Sequence, residues 1–178
     1  MTCTWRFPMA AIAVAVAAGG CTSAPPSRHA ATPSAAVVSA AGDPNVDLHD
    51  PRQVCEAFAA AVYRVDTAVD GGPQDAYRRA APYLSPALAA SIAGATPARQ
   101  TSQWEQWIRH RAFTEVQVAA YAGDALPEST ADEQHHAAIV TVRPTGRDGW
   151  HGPQQRHTVV CVLQPGTAGW QISSYEAA

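Results

Sequence analysis

Apolar positions recur at helical spacing early in the compact region and at alternating spacing later. After Asp50-Pro51, the residues Val54, Phe58, Ala61, Val62, Val65 and Val69 fall three or four apart, which puts them on one face of a helix. The Asp50 side chain can accept from the free amides of the first turn, and a proline at the first helical position gives up a donor that would be unpaired anyway. Gly71-Gly72 is expected to end this helix. Pro73 restarts a second one through Tyr77 to Ala81, and Pro82 with Ser85-Pro86 starts a short third one around Leu88 to Ile92. Thr101-Ser102 can cap a fourth, in which Trp104 and Trp107 share a face. Beyond Ala112 the period falls to two. Thr114, Val116, Val118 and Ala120 alternate with Phe113, Glu115, Gln117 and Tyr121, and Ala138, Val140 and Val142 repeat the pattern. The segment His157 to Leu163 is apolar on both faces and reads as central; Trp170 to Tyr175 follows the turn at Pro165-Gly166. A run of helices followed by a run of strands predicts an α+β domain, with three to four helices on a four-stranded antiparallel meander.

Composition changes this picture only a little. The chain has 178 residues, 12 basic and 15 acidic groups and a net charge of -3, which suits one domain of ordinary size. Alanine makes up 38 positions, so the 47% apolar fraction buries less area than it suggests. Every basic residue is arginine, in keeping with a high-GC genome. With no basic cluster to neutralise phosphates, nucleic acid is not an expected partner.

The N-terminal segment carries an address. Arg6 precedes an apolar run from Phe7 to Ala18 that ends in Ala18-Gly19-Gly20-Cys21. This is the layout of an export signal, and the run is shorter than the roughly 17 to 25 residues that span a bilayer. The last four residues resemble the lipobox of bacterial lipoproteins. That resemblance implies removal of residues 1–20 and a diacylglyceryl group on Cys21, so that the chain is held on the outer face of the cell membrane by its acyl chains. From Thr22 to His49 the chain is Ala, Ser, Pro and Thr with isolated charges and no periodicity, which reads as a disordered tether spanning roughly 30 Å. The expected organisation is therefore a signal peptide over 1–20, a lipidated cysteine and tether over 21–49, and a folded domain over 50–178.

Removing Cys3 with the signal and assigning Cys21 to lipid leaves Cys55 and Cys161. Cys55 shares a helix face with Phe58 and Val62, and Cys161 lies mid-strand, so both point inward. In an oxidising compartment this pair invites a disulfide; the alternative is two separate buried thiols. No CxxC or Cys/His cluster offers a zinc site, and His110, His135, His136, His151 and His157 have no ligand spacing, so no metal or other cofactor is expected.

The order of elements over about residues 50 to 176 resembles the cone-shaped fold named after a nuclear transport factor, in which helices pack on a curved antiparallel sheet. Asp50-Pro51-Arg52, the stretch from Arg78 to Pro86 and the stretch from Arg143 to Trp150 also resemble small exported actinobacterial proteins of this fold. Some of those accompany conjugative elements and are similar to scaffold subunits of type IV secretion. The resemblance implies a membrane-associated role among envelope proteins outside the cytoplasm. Dimerisation is common for cones of this kind, so a homodimer is allowed, although no stretch here specifies one.

The same cone serves isomerases, dehydratases and cyclases, in which a carboxylate or imidazole in an apolar pocket moves a proton. Asp66 and Tyr63 on the first helix and His157 on the third strand are the candidates. Asp66 sits one position beyond core-facing Val65, as a solvated helix flank does, and His157 shares its strand face with Val159, Cys161 and Leu163. Of His135 and His136, which point to opposite faces, at most one can enter a pocket. No acid–base dyad is recognisable. The reading is a binding or scaffold lipoprotein, an accessory component of a conjugation or secretion apparatus; the alternative is a small apolar-ligand binding protein or an isomerase-like enzyme using the cone mouth.

Overall fold

The computed structural model describes residues 42–96 and 101–178, all within the unit Thr32–Ala178. The signal segment, Cys21 and the greater part of the expected tether lie outside the described residues. Helices α1 (Pro51–Tyr63), α2 (Gln74–Arg79), α3 (Pro86–Gly94) and α4 (Ser102–Arg109) precede strands β1 (Phe113–Ala120), β2 (Gln134–Thr145), β3 (Gln155–Gly166) and β4 (Gly169–Ala177). The strands form one open sheet in the order β1-β2-β3-β4, every pair antiparallel. This is the α+β meander that the change of period predicts. Among the described residues no helix is long and apolar enough to cross a membrane.

Helix starts follow the sequence signals. Asp50 accepts from the amides of Arg52 at 2.9 Å and Gln53 at 3.2 Å. Ser85 caps α3 through Leu88, and Thr101 caps α4 through Trp104. The alternating residues of the sheet then meet the apolar face of α1. Phe58 and Val54 pack with Val140, Val142, Val159, Leu163 and Ile172, all fully buried. Each such side chain contributes about 1.5–3 kcal/mol relative to exposure. Cys55 and Cys161 are joined across this core as a disulfide, with Cα atoms 5.9 Å apart.

Two boundaries differ from expectation. The first helix ends at Tyr63, well before Gly71-Gly72, because the next residues leave it to join β1. The Val65 amide donates to Thr114 Oγ1 at 2.8 Å, the Thr114 amide donates back to the Val65 carbonyl at 2.9 Å, and Thr67 donates to Ala112 O. Val65 stays buried, but Val69 is 79% exposed where helical spacing had placed it inside. The backbone groups of residues 65–67 find their partners at the sheet edge instead of in another helical turn, and the local periodicity gives way there.

The second difference is the start of the folded region. It begins by Gly42, earlier than Asp50. Val46 and Leu48 pack on the core, the Asp43 amide donates to the Tyr83 hydroxyl at 2.8 Å, and the Trp170 amide donates to the Leu48 carbonyl at 2.7 Å. Residues 42–49 are a strap rather than tether.

Candidate functional site

Where α1, α2 and α4 face β2 and β3, the packing leaves a cavity of about 230 Å³. Beside it, Trp104 and Trp107 of α4 form a minor cluster with Val65 and Ala76, separate from the main core. Also lining it, the Tyr63 ring stacks on the His157 imidazole, with centroids 4.6 Å apart and planes 21° from parallel. Tyr77, Gln155 and Val142 also line it, and the exposed residues Thr101 and Gln103 stand at its margin. Among the described residues that line it, no carboxylate and no arginine is present.

The titratable side chains among the described lining residues are Tyr63, Tyr77 and His157. Burial pushes the Tyr63 hydroxyl above the ordinary tyrosine range, and the neighbouring Tyr77 adds to the shift, so Tyr63 remains an uncharged donor. His157 Nε2 is 3.4 Å from Gln155 Oε1, a neutral partner. Trp104 is 2% exposed and its indole Nε1 has no hydrogen-bond partner among the described residues. A buried donor left unpaired costs about 1–3 kcal/mol. Deeper along the same aromatic line, Tyr175 packs on Phe58 at 5.0 Å and on Tyr77 at 6.0 Å, and burial drives its hydroxyl well above the tyrosine range.

The sequence candidates are not brought together. His157 does face the helices, as its strand parity predicts, but Asp66 does not line the cavity. Nor is Asp66 on a helix flank; it lies past the end of α1. It accepts from both guanidinium nitrogens of Arg147, at 2.9 and 2.7 Å. Burial pushes the Asp66 carboxyl upward, but the Arg147 hydrogen bonds and the Ala68 amide outweigh that and hold it below the ordinary aspartate range. A carboxylate held in a bidentate ion pair is a poor general base. His135 pairs with Glu133 at 3.0 Å, while His110 pairs with Asp148 at 2.8 Å and stacks on Trp150. His136 is on the helix side of β2, opposite Cys161, with Nε2 buried and unpaired; burial lowers its pKa. Among the described residues no group of three His, Cys, Asp or Glu could hold a metal ion.

No family model matches the chain, and no curated protein matches it. Among solved structures it is similar to an IcmL-like type IV secretion system protein from Legionella pneumophila subsp. pneumophila str. Philadelphia 1, at 17% identity and a TM-score of 0.48. The match covers 71% of this chain and 88% of that one. Likeness at this level assigns no activity.

Reading the sequence missed Tyr77, Gln103 and Gln155 as cavity residues. Gln155 was detectable: it shares the face of His157, Val159 and Cys161, where a polar residue on an apolar strand face signals a cavity or a partner. Gln103 and Tyr77 had no such mark, because their place depends on how α2 and α4 dock.

Proposed function

We propose that this chain is an exported, lipid-anchored protein that acts by binding or scaffolding outside the cytoplasm, as an accessory component of a conjugation or secretion apparatus. The observation that carries the export part is the buried Cys55–Cys161 disulfide, a bond that persists in oxidising compartments and is rare in the cytosol. Ala18-Gly19-Gly20-Cys21 supplies the anchor in this reading, with acyl chains on Cys21. Binding rather than catalysis is supported by the site itself: His157 has a glutamine for its partner, and Asp66 is occupied by Arg147. The apparatus is the part that rests on resemblance of element order and of the segments around Asp50, Arg78 and Arg143. Crosslinking in intact membranes followed by purification of the chain tests it. Recovery of transfer or secretion subunits is the expected result, and their absence from every crosslinked product would contradict the assignment.

A further inference from the structure

The sheet treats its two edges differently. At β4 the chain covers its own edge: the Trp170 amide donates to the Leu48 carbonyl at 2.7 Å and the Ser85 amide to the Ile172 carbonyl at 2.9 Å. At β1 only the beginning is covered. The Thr114 amide donates to the Val65 carbonyl and the Thr67 amide to the Ala112 carbonyl, each at 2.9 Å. Those bonds fix which backbone groups point outward. Ala112 and Thr114 face away from β2, so by the two-residue period of a strand Val116, Val118 and Ala120 do the same. Pro144 agrees with this parity, since it stands opposite Thr114 and has no N–H to offer β1.

Among the described residues nothing pairs with Val116, Val118 or Ala120 on the outward side. The chain that leaves β1 does not run back along the edge. Tyr121, Ala122 and Gly123 line a groove with Ile139, Arg156 and Thr158, on the sheet face that the helices leave open. Nor does the stretch carry the usual guards of an edge strand. From Val116 to Ala120 there is no charge and no proline, and the register with β2 runs without a bulge. Gln117, Ala119 and Ala120 are exposed. A row of unpaired backbone groups on a strand already held extended is a template for another strand.

We infer that this edge pairs with the same edge of a second copy of the chain, antiparallel about a two-fold axis at Val118, so that the two sheets become one. The occupant follows from the fit. A two-fold there sets Val118 against Val118 and Val116 against Ala120 of the second copy, and each open edge group gains a partner. Gln117 then faces Ala119 of the other copy. Glu115, the charge next to the stretch, stays outside it, so no charge is buried and no like charges meet. A two-fold pairing closes on itself, and with β4 covered the sheet stops at two copies. The inference uses neither the lipid anchor nor the secretion role and stands apart from both.

The test co-expresses two full-length chains with different tags, one carrying Gln117→Cys and the other Ala119→Cys, and oxidises intact cells with copper phenanthroline. In the inferred register the two positions form a non-hydrogen-bonded pair with Cα atoms about 4.5 Å apart, within disulfide range, whereas each lies roughly 7–8 Å from its own counterpart. A mixed-tag disulfide dimer is expected at a yield at least about fivefold above that of either variant alone, with the wild type as blank for the native cysteines. Val118→Pro, added to both chains, should abolish it, because the ring removes an edge N–H that β2 does not use. Retention of the Cys55–Cys161 bond shows that this variant still folds, and the comparison of mixed with single variants decides the register without it. No link at all, equal linking by the single variants, a link that survives Val118→Pro in the folded chain, or capture of a different polypeptide in place of the second copy would overturn the inference.

Discussion

Arg147 ties together parts of the chain that no local pattern connects. Besides its two bonds to Asp66 across 81 residues, it donates to the Arg111 carbonyl at 2.6 Å and lies over the Phe113 ring at 5.3 Å. The two side chains are only 21% and 19% exposed, so screening by water is reduced. Arg147→Ala is expected to cost about 1–3 kcal/mol in urea unfolding, the range for a charge-assisted bond whose partner is left half-buried. The effect depends on pH with a definite sign. Because Asp66 titrates lower in the folded protein than when unfolded, its contribution is full above the unfolded value near 3.9 and is lost as pH falls through the folded one. The wild-type protein should therefore lose stability below about pH 4 more steeply than Arg147→Ala; parallel curves would show that the pair contributes little. A contact of this sequence separation leaves no trace in hydrophobic spacing, and Asp66 was accordingly read as a helix flank. His157 was legible, since strand parity alone puts it on the helix side.

Elements were legible where a cap or a period marked them. Asp50-Pro51, Ser85-Pro86 and Thr101 each start a helix where they stand, and the four strands follow in the predicted order. The failures came where tertiary pairing overrode local preference: Val65 and Thr67 leave the helix for the edge of β1, and Val46 and Leu48 dock although the surrounding composition is that of a linker. The strap predicts its own weak point. Gly169 has φ +134, and a β-carbon there would come within 2.4 Å of the Leu48 carbonyl oxygen. Gly169→Ala should cost about 2–3 kcal/mol and speed hydrogen exchange at the Trp170 amide, which Leu48 holds. Unchanged exchange would mean that the strap is not held there. The disulfide is the larger constraint. It joins residues 106 apart, for which chain entropy gives about 4.7 kcal/mol, so Cys55→Ala with Cys161→Ala should lower the urea midpoint far more than Gly169→Ala does.

At the scale of the whole molecule, fold class was readable because periodicity is a global property of each segment and survives local errors. The cavity was only partly readable: His157 carries a signal in its strand parity, but its convergence with the tryptophan pair depends on helix docking. The proposed role joins an exported leader, an oxidised staple and a domain whose acid and base candidates are kept apart. If reduction of the staple occurred in its native compartment, α1 would lose its covalent tie to β3, and the stability gained from the closed loop would vanish with it. Compartment is thus the claim on which the account turns. It is tested most directly by intact mass spectrometry of the chain extracted from the membrane fraction under non-reducing conditions. The account predicts a single species that starts at Cys21, carries a diacylglyceryl thioether there and is lighter by two hydrogens for the Cys55–Cys161 bond. A chain that retains Met1, or one without lipid and with both thiols free, would contradict it.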